Sequence, residues 1–137
     1  MYGTPSYASP EQASGNPFVD ARADLFGVGV TMFEALTGKL PFTGPDVTAV
    51  LRCIIRQDAP RTKLLSPRVD EGMDDLIAKL LSRRPATRHP SARALMRALE
   101  PWLKERVQTE RTLAATLQVA PDTSSIQPTA RHEMAAA

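Results

Sequence analysis

Apolar and polar positions along the chain follow a helical rhythm, and no stretch alternates as a half-buried strand would. Val47, Val50, Leu51, Ile54 and Ile55 stand at i, i+3, i+4, i+7 and i+8, one face of a helix over about 47–57. Asp46 is placed to cap it. Residues 58–72 carry two prolines and a glycine and read as an irregular connection. Met73, Leu76, Ile77, Leu80 and Leu81 then repeat the helical spacing. Pro85 and Pro90 bracket a basic loop, and Ser91 caps a further helix with Ala92, Leu95, Met96 and Leu99 inward. Pro101 predicts a kink or an end there. Residues 102–117 can continue helically, with weak periodicity, and 119–137 are small and polar enough to predict a disordered tail.

The stretch 21–37 is of another kind. Asp20 precedes it as a cap and Gly38 ends it. Leu25, Phe26, Val28, Val30, Met32, Phe33, Ala35 and Leu36 leave almost no polar face. A helix apolar all round belongs in the middle of a fold, so this one is predicted to be the axis on which the others pack. Ahead of it, Gly15-Asn16-Pro17 is turn chemistry, and Ser9 followed by Pro10 and Glu11 marks the start of a short helix. The fold class that follows is all-α, one buried helix with shorter amphipathic ones around it.

Composition narrows the function classes. At 137 residues and 42% hydrophobic, the chain is about one globular domain. Cys53 is the single cysteine, which excludes an internal disulfide framework, and with only His89 and His132 beside it a metal has few ligands. Cys53 reads as a small apolar residue of its helix and His89 as a loop residue. No run of about 18 apolar residues and no basic, apolar leader is present, so a cytoplasmic location without a membrane segment is expected. The net charge is +2; residues 46–103 hold eleven basic and seven acidic groups. With only 5% aromatic residues, these arginines read as solvated helix flanks, and no nucleic-acid partner is expected.

Four segments, taken together, resemble the C-terminal lobe of a eukaryotic-type protein kinase of the bacterial Ser/Thr kind. Gly3-Thr4-Pro5-Ser6-Tyr7-Ala8-Ser9-Pro10-Glu11 resembles the end of the activation segment, with Ser-Pro-Glu for the family's Ala-Pro-Glu. Asp24, Phe26 and Gly29 resemble the start of the family's central helix. Leu36-Thr37-Gly38-Lys39-Leu40-Pro41-Phe42 resembles its close, and Arg84-Pro85-Ala86-Thr87-Arg88 a late Asp-Pro-x-x-Arg loop, with Arg84 where the family usually has an acid. The resemblance implies a partial kinase domain at 1–103, a helical extension at 104–118 and a tail at 119–137.

It also implies roles. Thr4 would hold the catalytic loop, within a substrate-facing segment that includes Gly3, Pro5 and Tyr7; otherwise it is a plain turn residue. Asp24 would accept hydrogen bonds from the catalytic-loop backbone; otherwise it is a solvated acid in a first helical turn. Glu11 and Arg88 would form a buried ion pair; otherwise they are unrelated surface charges. The Gly-rich loop, the catalytic loop and Asp-Phe-Gly have no counterpart in these 137 residues. The expectation is therefore a kinase fragment, inactive alone. A truncated gene, a frameshift or a misplaced start would account for it. No cofactor is expected in this chain, with ATP and Mg²⁺ belonging to an intact parent. Protein substrates or regulators are the expected partners, with self-association through apolar surface left uncovered on the central helix. The alternative is a non-catalytic protein-binding module derived from such a lobe.

Overall fold

The computed structural model describes residues 4–118, so Gly3 and the expected tail at 119–137 lie outside the described residues. The elements in order are a 3-10 turn at Pro5–Tyr7, α1 (Pro10–Ala13), α2 (Arg22–Thr37), α3 (Val47–Arg56), α4 (Thr62–Leu65), α5 (Glu71–Leu80), a second 3-10 turn at Pro85–Thr87, and α6 (Ala92–Gln118). The described residues contain no strand, and the fold is all-α as expected. The chain divides into two compact units between Leu99 and Glu100.

In the first unit α2 is the axis. It packs against α5, α4 and the first 3-10 turn, while α3 packs against α1 and that same turn. Phe26, Val30 and Phe33 of α2 are fully buried with Ile54 of α3 and Ile77 and Leu80 of α5. Each such side chain contributes about 1.5–3 kcal/mol on leaving water. Phe26 also stacks on Phe42, ring centroids 6.2 Å apart. Gly29 sets the closeness of α2 to α5, because a Cβ there would stand 2.8 Å from Leu80 Cβ and 3.1 Å from a Leu81 methyl. The cover of α2 is uneven, however. Val28 and Leu36 are exposed, so the all-round apolar helix keeps one face in water.

Local capping chemistry fixes most of the helix starts. The Ser9 hydroxyl accepts the Gln12 N–H and the Gln12 side chain accepts the Ser9 N–H, a complete capping box. Asp46 accepts the Ala49 N–H at 2.7 Å and Ser91 the Ala94 N–H at 3.1 Å. Gly38 closes α2 at φ +70°, a conformation in which a Cβ would be strained.

Five details differ from the sequence expectation. α2 starts at Arg22, with Ala21 at the cap position; Asp20 still serves the helix start, accepting the Arg22 N–H at 2.9 Å from one residue further out. The connection 58–72 is partly helical. It contains α4, and α5 begins at Glu71 because Asp70 caps the Met73 N–H at 2.9 Å. α4 has no cap of its own. The buried Asp74 of α5 supplies one, accepting the Lys63 N–H at 3.1 Å while it pairs with Arg61 at 2.7 Å. Ala92 and Met96 are exposed rather than inward, so the inward face of α6 is carried by the buried Leu95 and the half-buried Leu99. Pro101 neither ends nor breaks α6. Arg97, whose carbonyl loses its helical donor to the proline, is exposed, so water can satisfy it.

In the second unit the described residues are the remainder of α6, ending at Gln118. Its surface carries two i, i+4 ion pairs, Lys104–Glu100 at 2.9 Å and Arg106–Glu110 at 3.3 Å.

Gly29→Ala should destabilise the first unit. Helix propensity gains about 1 kcal/mol, but a Cβ pressed on Leu80 Cβ costs about 1–3 kcal/mol by overpacking. Urea unfolding followed by circular dichroism will show a lower midpoint at unchanged slope; an unchanged or higher midpoint contradicts the packing argument.

Candidate functional site

Two sites of different kind flank the start of α2. The first is a buried anchor. Arg88 follows the second 3-10 turn and is 2% exposed. Its Nη1 donates to Glu11 Oε1 at 2.7 Å and to the Arg22 carbonyl at 2.9 Å. Its Nη2 donates to Glu11 Oε2 at 2.8 Å and to the Arg83 carbonyl at 3.3 Å. Nε donates to the Ser82 carbonyl at 2.8 Å. All five guanidinium N–H groups are therefore satisfied. The guanidinium also lies over the Phe26 ring, 5.1 Å from its centroid. Burial pushes the Glu11 carboxyl up, but the Arg88 hydrogen bonds and charge, with the backbone and Ser9, hold it below the ordinary carboxylate range. Arg84 makes no capping hydrogen bond through its side chain, so the 3-10 turn it precedes starts without one.

The second site is an open groove of about 860 Å³ on the other side. Thr4, Pro5 and Tyr7 form one wall, and Asp24, Val28 and Met32 of α2 the other. Sequence-predicted residues that are 20 positions apart, Thr4 and Asp24, thus share one cleft. Both are exposed. The wall is held by Tyr7, whose hydroxyl donates to a Glu34 carboxylate oxygen. That hydrogen bond pushes the Tyr7 hydroxyl pKa up. Glu34 was not singled out from the sequence. It lies 27 residues from Tyr7, and nothing local marks an acid in an apolar helix as the partner of a turn tyrosine.

His89 is a loop residue as read, but a buried one, 6% exposed. Burial and the nearby Lys79 charge hold its pKa below the usual value. Cys53 is half-buried, with its thiol 3.6 Å from the Thr43 carbonyl. Among the described residues no group of three His, Cys, Asp or Glu side chains is placed to hold a metal ion, and no helix is long and apolar enough to cross a membrane.

Residues 1–103 match the family model of the protein kinase domain. The chain belongs to the protein kinase family. Among its relatives, the serine/threonine-protein kinase PksC of Streptomyces coelicolor is 37% identical over 95 residues, covering 69% of this chain and 17% of that protein. The tyrosine-protein kinase MasK of Myxococcus xanthus is 37% identical over 99 residues, covering 72% of this chain and 15% of that protein. Among solved structures, the twitchin kinase region from C. elegans superimposes with a TM-score of 0.61 at 34% identity, covering 72% of this chain and 17% of that one. The chain thus corresponds to part of the helical C-lobe of its relatives, and spans under a fifth of the length of these three.

Glu11→Ala and Arg88→Ala should each cost about 3–5 kcal/mol, since either strands a buried charge, and the double variant should cost less than their sum. Additive losses in a urea double-mutant cycle would show that the contact carries no energy. The pH dependence has a fixed sign. The folded pKa values of Glu11 and His89 are both lowered. Their stabilisation is therefore full above the unfolded values and is lost as the pH falls through the folded ones. Glu11→Gln should remove the part of that loss lying below the ordinary value of 4.5; an unchanged pH–stability profile contradicts it.

Proposed function

We propose that residues 4–103 form the substrate-side portion of a kinase C-lobe, and that the intact protein transfers a phosphoryl group from ATP to Ser or Thr hydroxyls of proteins. The observation that carries this is the shared groove of Thr4 and Asp24. One wall is the segment Thr4–Tyr7 and the other is α2, which supports a lobe that receives a catalytic loop and a protein acceptor between them. The Gly-Thr-x-x-Tyr form of the segment favours Ser and Thr over Tyr acceptors. Thr4 and Asp24 are the residues that would hold the catalytic loop, by a hydroxyl and by a carboxylate that accepts backbone N–H groups. These 137 residues contain no nucleotide-binding motif, and the described side chains offer no metal-holding cluster. They do not fit Mg²⁺–ATP, so no catalytic step is assigned to them alone. The single cysteine supports a reducing, cytoplasmic setting.

A second reading, a non-catalytic module that docks a protein regulator or a second copy in the groove, is favoured by one observation. Val28 and Val19 are each 39% exposed and line the groove, and Phe18 beside Val19 is 89% exposed.

Grafting residues 3–103 over the matched region of PksC tests the first reading. The chimera should label Ser and Thr of a protein acceptor, and Thr4→Ala should lower kcat/KM by about a hundredfold, the scale of a lost positioning contact. A folded chimera without activity, or one labelling only Tyr, would overturn it. For the isolated chain, calorimetry with millimolar Mg²⁺–ATP should show no saturable binding.

A further inference from the structure

The second unit carries a stripe that nothing in the described residues of that unit covers. Within Glu100–Gln118 Trp102 is half-buried, but four large apolar side chains are exposed: Leu103 58%, Val107 49%, Leu113 58% and Leu117 78%. They are not scattered. With Leu103 at position a of a heptad, Arg106 falls at d, Glu110 at a, Leu113 at d and Leu117 at a, and Val107 borders the seam at e. Pro101 falls at f, the position furthest from the seam, so its missing N–H does not disturb it. One seam therefore holds three leucines and one pair of opposite charges.

We infer that this face of α6 pairs antiparallel with the same face of a second copy of the chain, about a two-fold axis beside Gln108. In that arrangement a positions layer with d positions of the partner helix. Leu103 meets Leu113, Arg106 meets Glu110, and the two-fold repeats each layer in reverse. Val107 meets its own counterpart at the axis. The Arg106–Glu110 ion pair within one helix, 3.3 Å in the monomer, becomes one half of a four-charge cluster in which each Arg has two Glu neighbours. Parallel pairing is selected against by the same residues, because it sets Arg106 on Arg106 and Glu110 on Glu110. Like charges across a seam oppose association, and a polar layer fixes orientation and register at some cost in affinity. The paired stretch from Leu103 to Leu113 is about 15 Å long at 1.5 Å per residue, with Leu117 beyond it, so the pairing is weak and concentration-dependent. It is independent of the groove and of the kinase reading.

Sedimentation equilibrium of the 137-residue chain, in a Val28→Asp background that makes the α2 groove polar, tests it. A monomer–dimer equilibrium is expected. Arg106→Glu should weaken it at least about tenfold, the effect of opposing like charges, and Arg106→Glu with Glu110→Arg should restore it. Both variants alter exposed positions, so circular dichroism will show them folded. Orientation is read by oxidation in a Cys53→Ala background. Leu103→Cys mixed with Leu113→Cys should give the disulfide heterodimer, and Leu103→Cys alone should not cross-link. Three results would overturn the inference: a monomer at every concentration, a dimer indifferent to Arg106→Glu, or self-cross-linking of Leu103→Cys. So would a chain monomeric in solution whose α6 variants lose binding to vesicles of anionic phospholipid, which would assign the stripe to a lipid surface.

Discussion

The packing of the first unit turns on the Arg88 guanidinium. It is a charge withdrawn almost wholly from water, and such a charge is tolerated only when every donor finds an acceptor. Here the acceptors come from three separate places in the chain: the Glu11 carboxylate on α1, the Arg22 carbonyl, and the adjacent carbonyls of Ser82 and Arg83. Satisfying one side chain therefore fixes the end of the activation-like segment, the first turn of α2 and the loop after α5 in one geometry. Phe26 completes the cage from below and passes the constraint to Phe42 through ring stacking. A lysine could supply the charge but not the planar fork that meets both Glu11 oxygens.

That constraint explains why the turn Pro5–Tyr7 stands where it does. α1 is only four residues long, too short to hold itself by helix propensity. Its position is set by the Glu11–Arg88 pair on one side and by its contact with α3 on the other. The turn then lies beside the middle of α2, near enough for Tyr7 to reach Glu34. The groove wall is thus built from outside in: anchor, short helix, turn, hydrogen bond. No strongly helical or strand-forming sequence is needed at residues 4–9, and none is present.

What was legible in the sequence follows the range of the forces involved. Caps act over three residues, so Ser9, Asp46 and Ser91 can be read directly, as can the glycine that closes α2. α4 could not be read, because its cap is Asp74, eleven residues beyond Lys63 and on another helix. The same carboxylate holds Arg61, so the short helix is a product of tertiary electrostatics rather than of propensity. Pro101 misled for the opposite reason. The rule that proline ends a helix assumes the lost hydrogen bond is costly, and at an exposed position it is not. The Glu11–Arg88 pair spans 77 residues; only the family resemblance pointed to it. Glu34 shows the limit of that approach, since no quoted motif reached it.

The two sides of α2 have separate energetics, and this bears on what changes there can do. Phe26, Val30 and Phe33 lie at i, i+4 and i+7 and face the interior. Asp24, Val28 and Thr31 face the groove and are exposed. Removing an interior side chain leaves a cavity in a packed core. Altering a groove residue removes little that is already buried, so its effect on folding is small and its effect falls on whatever the groove receives. Groove positions can therefore vary while the lobe persists. The anchor on the far side has no such freedom, because each of its five hydrogen bonds compensates the burial of the same charge.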